Sequence, residues 1–365
     1  MLKYPKPPLI PYHIMSTIEF MEKNYKHFNA RETLAAAKEY HKFVTDDNGK
    51  MFLAMAGAMS TAEIGITLAP MIRAGKVSAI SCTGANIEED LFNLVANNSY
   101  KLQPDWRYLT MEQDEKTRDE GMNRVTDTCI PEDVMIEMSD ALLELWSKAA
   151  EKGESKFHQE YIYDLIRTGF FRDKNDIPME DSWVIAACEQ NIPIYTPGVE
   201  DSTLGNMYCA YVMQGVVKSH SAMKSGTEQF EHLTNWYRET QKDHPIGFFQ
   251  IGGGIAGDFA MCVVPSILQD HYLECRRWRY FCHIGDAVTS YGGYSGCPAN
   301  EKVTWHKLDV DTPNFTINSD ASIVAPLVFS YVMEKHLEST AEGIKDSVAD
   351  ETIGIAAGKK AVEAS

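Results

Sequence analysis

The sequence predicts an α/β fold: one parallel sheet with helices on both faces. Two observations carry this. Six short apolar stretches recur along the chain, each ending in small or acidic residues and followed by a helical stretch. Apolar strands that alternate with helices argue for a parallel sheet covered on both sides. The chain is also long enough: 365 residues, 44% of them hydrophobic, can bury a large core in one domain or two.

Taken in order, residues 1–14 hold four prolines and read as an extended arm, and residues 15–48 read as helix. The first strand, Met51–Ala58, ends at Gly57-Ala58-Met59-Ser60-Thr61. Val77–Ser81 ends at Thr83-Gly84-Ala85-Asn86, then Glu88-Glu89-Asp90. Residues 91–180 read as mostly helical and charged, broken at Pro104, Pro131 and Gly169-Phe170-Phe171. Ile192–Thr196 ends at Gly198, Asp201 and Gly205, and Ile246–Ile251 ends at Gly252-Gly253-Gly254. Tyr280–Ile284 ends at Gly285-Asp286-Ala287, and Phe315–Ile317 ends at Asp320-Ala321-Ser322. The glycine- and tyrosine-rich residues 285–300 read as a loop at a strand end, suited to cover a site. Residues 337–365 lack aromatics and proline and read as a peripheral helix or a loose tail. The expected organisation is an N-terminal arm and helix (1–44), a main α/β domain (45–336) and a C-terminal helix or tail (337–365).

The formal charge of −18, with no basic tract, argues against a nucleic-acid partner. It suits a polycationic ligand, though solubility alone accounts for it. The eight cysteines form no CxxC pair, and Cys275, Cys282, His283 and Cys297 lack zinc-site spacing. No apolar signal core opens the chain and no run reaches membrane-spanning length. The expectation is a reduced, cytoplasmic, metal-free protein that does not enter a membrane.

In parallel sheets ligands sit beyond the carboxyl ends of the strands, where the glycines and acids of this chain fall. Glycines there admit phosphates close to the backbone, and helix N-termini supply donors for anions. A dinucleotide is the ligand this pattern predicts. Gly252-Gly253-Gly254-Ile255-Ala256-Gly257 fits GxGxxG but comes late in the chain. It serves either as a cofactor contact or as a tight strand-to-helix turn. Trp305 and Lys307, two residues apart, are expected on one face of a strand-like segment, with Glu301 able to join them. An aromatic plate, a carboxylate and an amine suit a cationic amine substrate, and lysine is a nucleophile toward carbonyl and imine carbons. His306 then points to the opposite face and reads as structural. Asp258 reads either as a helix cap or as a group that steers an ammonium.

Several segments together resemble one family. Thr83–Leu91, Gly121-Met122-Asn123-Arg124-Val125, Pro197–Gly205, Ile251–Gly254, Glu301–Lys307 and Ser319–Ser322 are similar, in collinear order, to motifs of the deoxyhypusine synthase family. The likeness is greatest to its bacterial deoxyhypusine synthase-like branch and spans roughly residues 45–335. The resemblance implies a Rossmann-like, NAD-binding fold and a homotetramer with sites at subunit interfaces. It also implies a reaction. NAD takes a hydride from spermidine, Lys307 captures the resulting imine, an acceptor amine displaces Lys307, and the hydride returns.

Positions matching the family's NAD contacts are Gly57, Ala58, Met59, Ser60, Thr61, Thr83, Gly84, Ala85, Glu89, Asp201, Gly253, Asp286, Ala287, Asp320 and Ala321. Those matching the polyamine pocket are Glu88, Glu89, Glu301 and Trp305. The chain departs from the pattern at Asn206, Asp258, Tyr294 and Cys262, where the family has aspartate, histidine, aspartate and asparagine. Those changes leave the imine chemistry in place and alter recognition of the amine ends. They favour a small acceptor such as putrescine, giving homospermidine, over a lysine of a translation factor. A non-catalytic NAD-binding protein and a simple amine dehydrogenase are the other readings.

Overall fold

The computed structural model describes the backbone of residues 15–289 and 291–362, with side chains described through residue 341. The expected arm at residues 1–14 lies outside the described residues. Among the described residues nine strands form two sheets: β1 Lys50–Met55, β2 Ala79–Cys82, β3 Lys101–Leu102, β4 Met122–Val125, β5 Thr128–Pro131, β6 Ile194–Tyr195, β7 Ile246–Ile251, β8 Phe281–Gly285 and β9 Asn314–Asn318. Six of them build the main sheet in the order β6-β2-β1-β7-β8-β9, and every pair in it is parallel.

These six are the apolar stretches read from the sequence. In β1, β2, β6, β7 and β8 the hydrophobicity follows from burial on both faces, whereas β9, at the sheet edge, fully buries only Ile317. Met51, Leu53 and Met55 of β1 enter one core with Tyr40 and Phe43 of helix Phe28–Thr45 and Val328 of helix Ala321–Val362. Phe52 and Ala54 of the same strand enter a second core. The second core is aromatic. Phe52 stacks on Phe248 with ring centroids 5.6 Å apart, and Trp278 meets Phe248 edge-on at 4.8 Å. Helices Gly226–Asp243 and Gly254–Met261 cover this face.

The chain winds from β1 through β2 to β6 in one direction, then returns to the other side of β1 with β7, β8 and β9. The winding therefore reverses between β1 and β7, and the crevice beyond their carboxyl ends is the natural ligand position of such a sheet. Gly252 ends β7 with φ 69°, and a Cβ there would lie 3.2 Å from the Cβ of Ala56, just past β1. Only glycine closes this turn without strain.

Two features depart from the sequence reading. Within residues 91–180, β3, β4 and β5 form a small antiparallel sheet, with Thr126 at φ 55° in the tight β4–β5 turn. Arg124 of this hairpin donates to both carboxylate oxygens of Asp114, at 2.7 and 2.6 Å. The second departure is at Trp305-His306-Lys307, which is not strand-like. Helix Ala299–Thr304 ends there. His306 takes φ 58° and its N–H donates to Val303 O, while the Lys307 N–H reaches back to Lys302 O at 3.0 Å. That pair of bonds is a Schellman motif. At the other end of the chain, residues 337–362 continue helix Ala321–Val362.

Candidate functional site

The Schellman turn fixes Lys307. Its carbonyl accepts from the N–H of the fully buried Trp278, and Leu308 bridges to Trp278, so the lysine backbone is tied to the aromatic core. The side chain is buried, with the residue 8% exposed. Lys307 Nζ donates to Asp258 Oδ1 at 3.0 Å, from helix Gly254–Met261. It lies 5.4 Å from the ring centroid of Tyr294 and 6.0 Å from that of Trp305.

These groups share a cavity of about 620 Å³, whose walls include Phe230, Asp258, Cys262, Tyr294, Glu301, Lys302, Trp305 and Lys307. Glu301 and Trp305 meet there because four residues span one helical turn, not because of strand alternation. Tyr294 comes from the glycine-rich loop. Its hydroxyl donates to Gln250 Oε1 at 2.8 Å, and burial pushes its pKa well up, so the phenol stays neutral.

Asp258 does not cap its helix. It lies in the helix interior, where it accepts from Lys307 and, at 3.4 Å, from Cys262 Sγ. The first turn is served instead by Ser295, whose Oγ accepts from the Gly254 N–H at 3.1 Å. A Cβ on Gly253 would sit 1.8 Å from that oxygen. The glycine triplet thus lets the loop at residues 291–296 close onto the strand-to-helix turn.

His306 is exposed, and its side chain meets Arg277 at 3.3 Å. Its role is structural through its left-handed backbone, which differs from the expected reason of opposite-face placement.

The expected cofactor positions gather along the carboxyl edge of the sheet. Gly57, Ala58, Met59, Ser60 and Thr61 follow β1; Thr83, Gly84, Ala85 and Glu89 follow β2; Asp201 follows β6; and Gly253 follows β7. Asp286 and Ala287 follow β8, and Asp320 and Ala321 follow β9. Asn86, which the sequence reading did not single out, organises the first two groups. Its Nδ2 donates to Gly57 O at 2.6 Å and Thr83 Oγ1 at 2.8 Å, and its Oδ1 accepts from the Ser60 N–H at 3.2 Å.

Unsatisfied atoms test whether this edge suits a dinucleotide. Thr61 Oγ1, Glu89 Oε2 and Thr196 Oγ1 are buried without a hydrogen-bond partner, just past β1, β2 and β6. Unpaired buried polar atoms occur elsewhere in the described core as well, at His158 and Trp146 among others, but these three lie at strand ends, where polar groups from outside the chain can meet them. Ribose hydroxyls both donate and accept and fit such a set. Burial raises the Glu89 carboxyl to about 7.

Glu88 and Asn206 stand apart from the Lys307 cavity. Glu88 is buried, and its two oxygens accept from the N–H groups of Thr203 and Leu204 at 2.8 and 2.7 Å. It caps helix Thr203–Met213 and is not among the walls of the Lys307 cavity within this chain, where the resemblance implied an amine-pocket position. Asn206, exposed on that helix, donates to Glu200 O. Lys302 does line the cavity, and the sequence reading passed over it because a lysine in a short charged stretch reads as solvated. All eight cysteines are free, and no helix among the described residues is long and apolar enough to cross a membrane.

A deoxyhypusine synthase-like protein of Nostoc punctiforme is 26% identical over 88% of this chain and 80% of its own length. A probable deoxyhypusine synthase 2 of Methanosarcina acetivorans is 24% identical over 90% of each. Among solved structures, a putative deoxyhypusine synthase from Entamoeba histolytica shares the fold with a TM-score of 0.53 at 14% identity, covering 87% of this chain and 92% of that one. The deoxyhypusine synthase family model matches residues 18–332, and the chain belongs to that family of transferases.

Proposed function

We propose that this protein is an NAD-dependent aminobutyl transferase. It moves a 4-aminobutyl group from spermidine or putrescine through an imine on Lys307 to an amine acceptor. The observation that carries the reading is the buried Lys307, held by a Schellman turn and facing a cavity walled by Trp305, Tyr294 and Glu301. When bound, NAD would supply reversible hydride acceptance at the donor's amine-bearing carbon. Thr61 and Glu89 would meet its ribose hydroxyls at the carboxyl edge of the sheet.

The chain's own residues do the rest. Trp305 and Tyr294 supply π faces for an ammonium or iminium group. Glu301, at the mouth, attracts the cationic donor. Asp258 takes up the proton that Lys307 must lose before it attacks, over the 3.0 Å contact between them. Lys307 then forms the bond to the imine carbon and releases the departing amine. Burial keeps water from hydrolysing the adduct. The acceptor expected from the sequence is a small polyamine such as putrescine. We take the active form to be a cytoplasmic homotetramer with sites completed between subunits.

The test is incubation with NAD, spermidine and putrescine, with the amines read by mass spectrometry and Lys307→Ala run alongside. Homospermidine and 1,3-diaminopropane from the wild type only are the expected result. Equal product from Lys307→Ala would refute the covalent route.

A further inference from the structure

Strand β7 is buried from end to end and carries one polar side chain, Gln250. Side chains alternate along a strand, so Gln250 shares a face with Phe248 of the aromatic core, while Phe249 and Ile251 enter the other core. A buried amide is costly unless its hydrogen bonds are made. Both ends of this one are committed. Its Nε2 donates to Gly252 O at 2.8 Å, which fixes the orientation of the amide. Oε1 is then left to accept from the Tyr294 hydroxyl, also at 2.8 Å. Gln250 is 1% exposed and is not a wall of the Lys307 cavity, whereas Tyr294 is.

A tyrosine on a cavity wall can show an amine either its hydroxyl or its ring. Here the hydroxyl is turned into the strand, and the ring faces the amines. Lys302 Nζ lies 4.5 Å from its centroid and Lys307 Nζ 5.4 Å. Gly257 leaves room for the pairing. A Cβ there would lie 2.8 Å from Tyr294 Cε1 and 3.1 Å from Gln250 Oε1. We propose that Gln250 is a positioning residue for the reaction. By taking the Tyr294 hydroxyl it holds the ring beside Lys307, so that the cavity offers the donor amine a π face.

The inference rests on the transfer reading above and adds a residue outside the cavity that governs amine recognition within it. Without Gln250 the phenol is left unsatisfied or turns toward water, and the second course carries the ring away from Lys307. Removing both polar partners together ends that conflict, because a phenylalanine beside a leucine has no hydroxyl to satisfy. The two positions should therefore behave reciprocally, with harm done in the strand repaired from the loop. A fault confined to the strand would not be repaired in that way.

Calorimetry with spermidine and with putrescine, NAD held saturating, decides it. The proteins are wild type, Gln250→Leu, Tyr294→Phe, the double variant and Gly257→Ala. Gln250→Leu is expected to bind spermidine roughly tenfold or more weakly than wild type, as the π face is lost. Tyr294→Phe should stay within about threefold of wild type, and the double variant should bind at least about threefold more tightly than Gln250→Leu alone. Gly257→Ala removes no polar group and crowds the pair, so it should weaken amine binding in the same direction. Wild-type affinity in Gln250→Leu overturns the proposal, as does a double variant no tighter than Gln250→Leu. Should Gln250→Leu not fold, Gly257→Ala takes its place, and wild-type affinity there overturns the proposal. Transfer through Lys307 with equal amine affinity in every variant strikes this inference alone. The expected affinities without any transferred product strike the transferase reading alone, and a wild type that binds neither amine strikes both.

Discussion

Replacing Glu88 by Gln separates two accounts of a residue that the family resemblance put in the amine pocket. Its carboxylate spans the first two amides of helix Thr203–Met213, while Ser202 Oγ accepts from the third, Gly205, at 3.1 Å. Glutamine keeps the shape but turns an NH2 toward one of those donors. The loss is one charge-assisted hydrogen bond, about 1.5–3 kcal/mol, plus about 0.3–1 kcal/mol of helix-dipole interaction. Burial offsets part of this, because it raises the Glu88 carboxyl above its usual range and its removal relieves a desolvated charge. The net expectation is a destabilisation of about 2 kcal/mol at pH 8, read from the urea midpoint at constant slope. The KM for the amine should change less than twofold. An unchanged midpoint with a tenfold higher amine KM would refute the capping argument and return Glu88 to the pocket.

Other outcomes follow from the same geometry. His306→Gly should stabilise the fold by about 1 kcal/mol in urea titration, since a left-handed L-residue costs about 1–2 kcal/mol and glycine gives back part of that in chain entropy. His306→Val should instead lose stability and, by displacing Lys307, turnover. Asp258→Asn should cut kcat at least tenfold with little change in donor KM, measured by steady-state amine release; an equal kcat would remove Asp258 from proton transfer. For Glu89, the sign runs against acid denaturation. Its carboxyl lies at about 7 when folded against 4.5 when unfolded, so the folded state holds more protons and stability falls as pH rises through that window. At about 1.4 kcal/mol per pH unit, the ceiling is about 3 kcal/mol. Urea midpoints from pH 5 to 8 should fall less steeply in Glu89→Gln, and identical slopes would show the carboxyl to be ordinary.

Five strands of the main sheet were legible because each is buried on both faces, so hydrophobicity alone marks them, and the sequence reading of β7, Ile246–Ile251, needed no adjustment; edge strand β9 fully buries only Ile317 and is marked by its alternating Phe315 and Ile317. The β4–β5 hairpin was not legible. Its strands are four residues long, and Asn123 is exposed, so neither alternation nor an apolar run stands out. The cap made by Glu88 was hidden for another reason: its partners lie 115 and 116 residues away, and no local pattern encodes such a pairing.

The turn at Trp305–Lys307 was misread because of one residue. A glycine at position 306 would have signalled a helix end, whereas histidine in its place let a period of two look like a strand. The error has a chemical consequence. Strand geometry would set Lys307 beside Trp305 and send its neighbours to the other face. The observed turn instead pairs it with Lys302, five residues back, across the C3 and C″ positions. Glu301, Trp305 and Lys307 share a cavity under either geometry. Only the helical one adds a second buried amine, Lys302, to that cavity, so the shape of this turn decides which charges face the substrate.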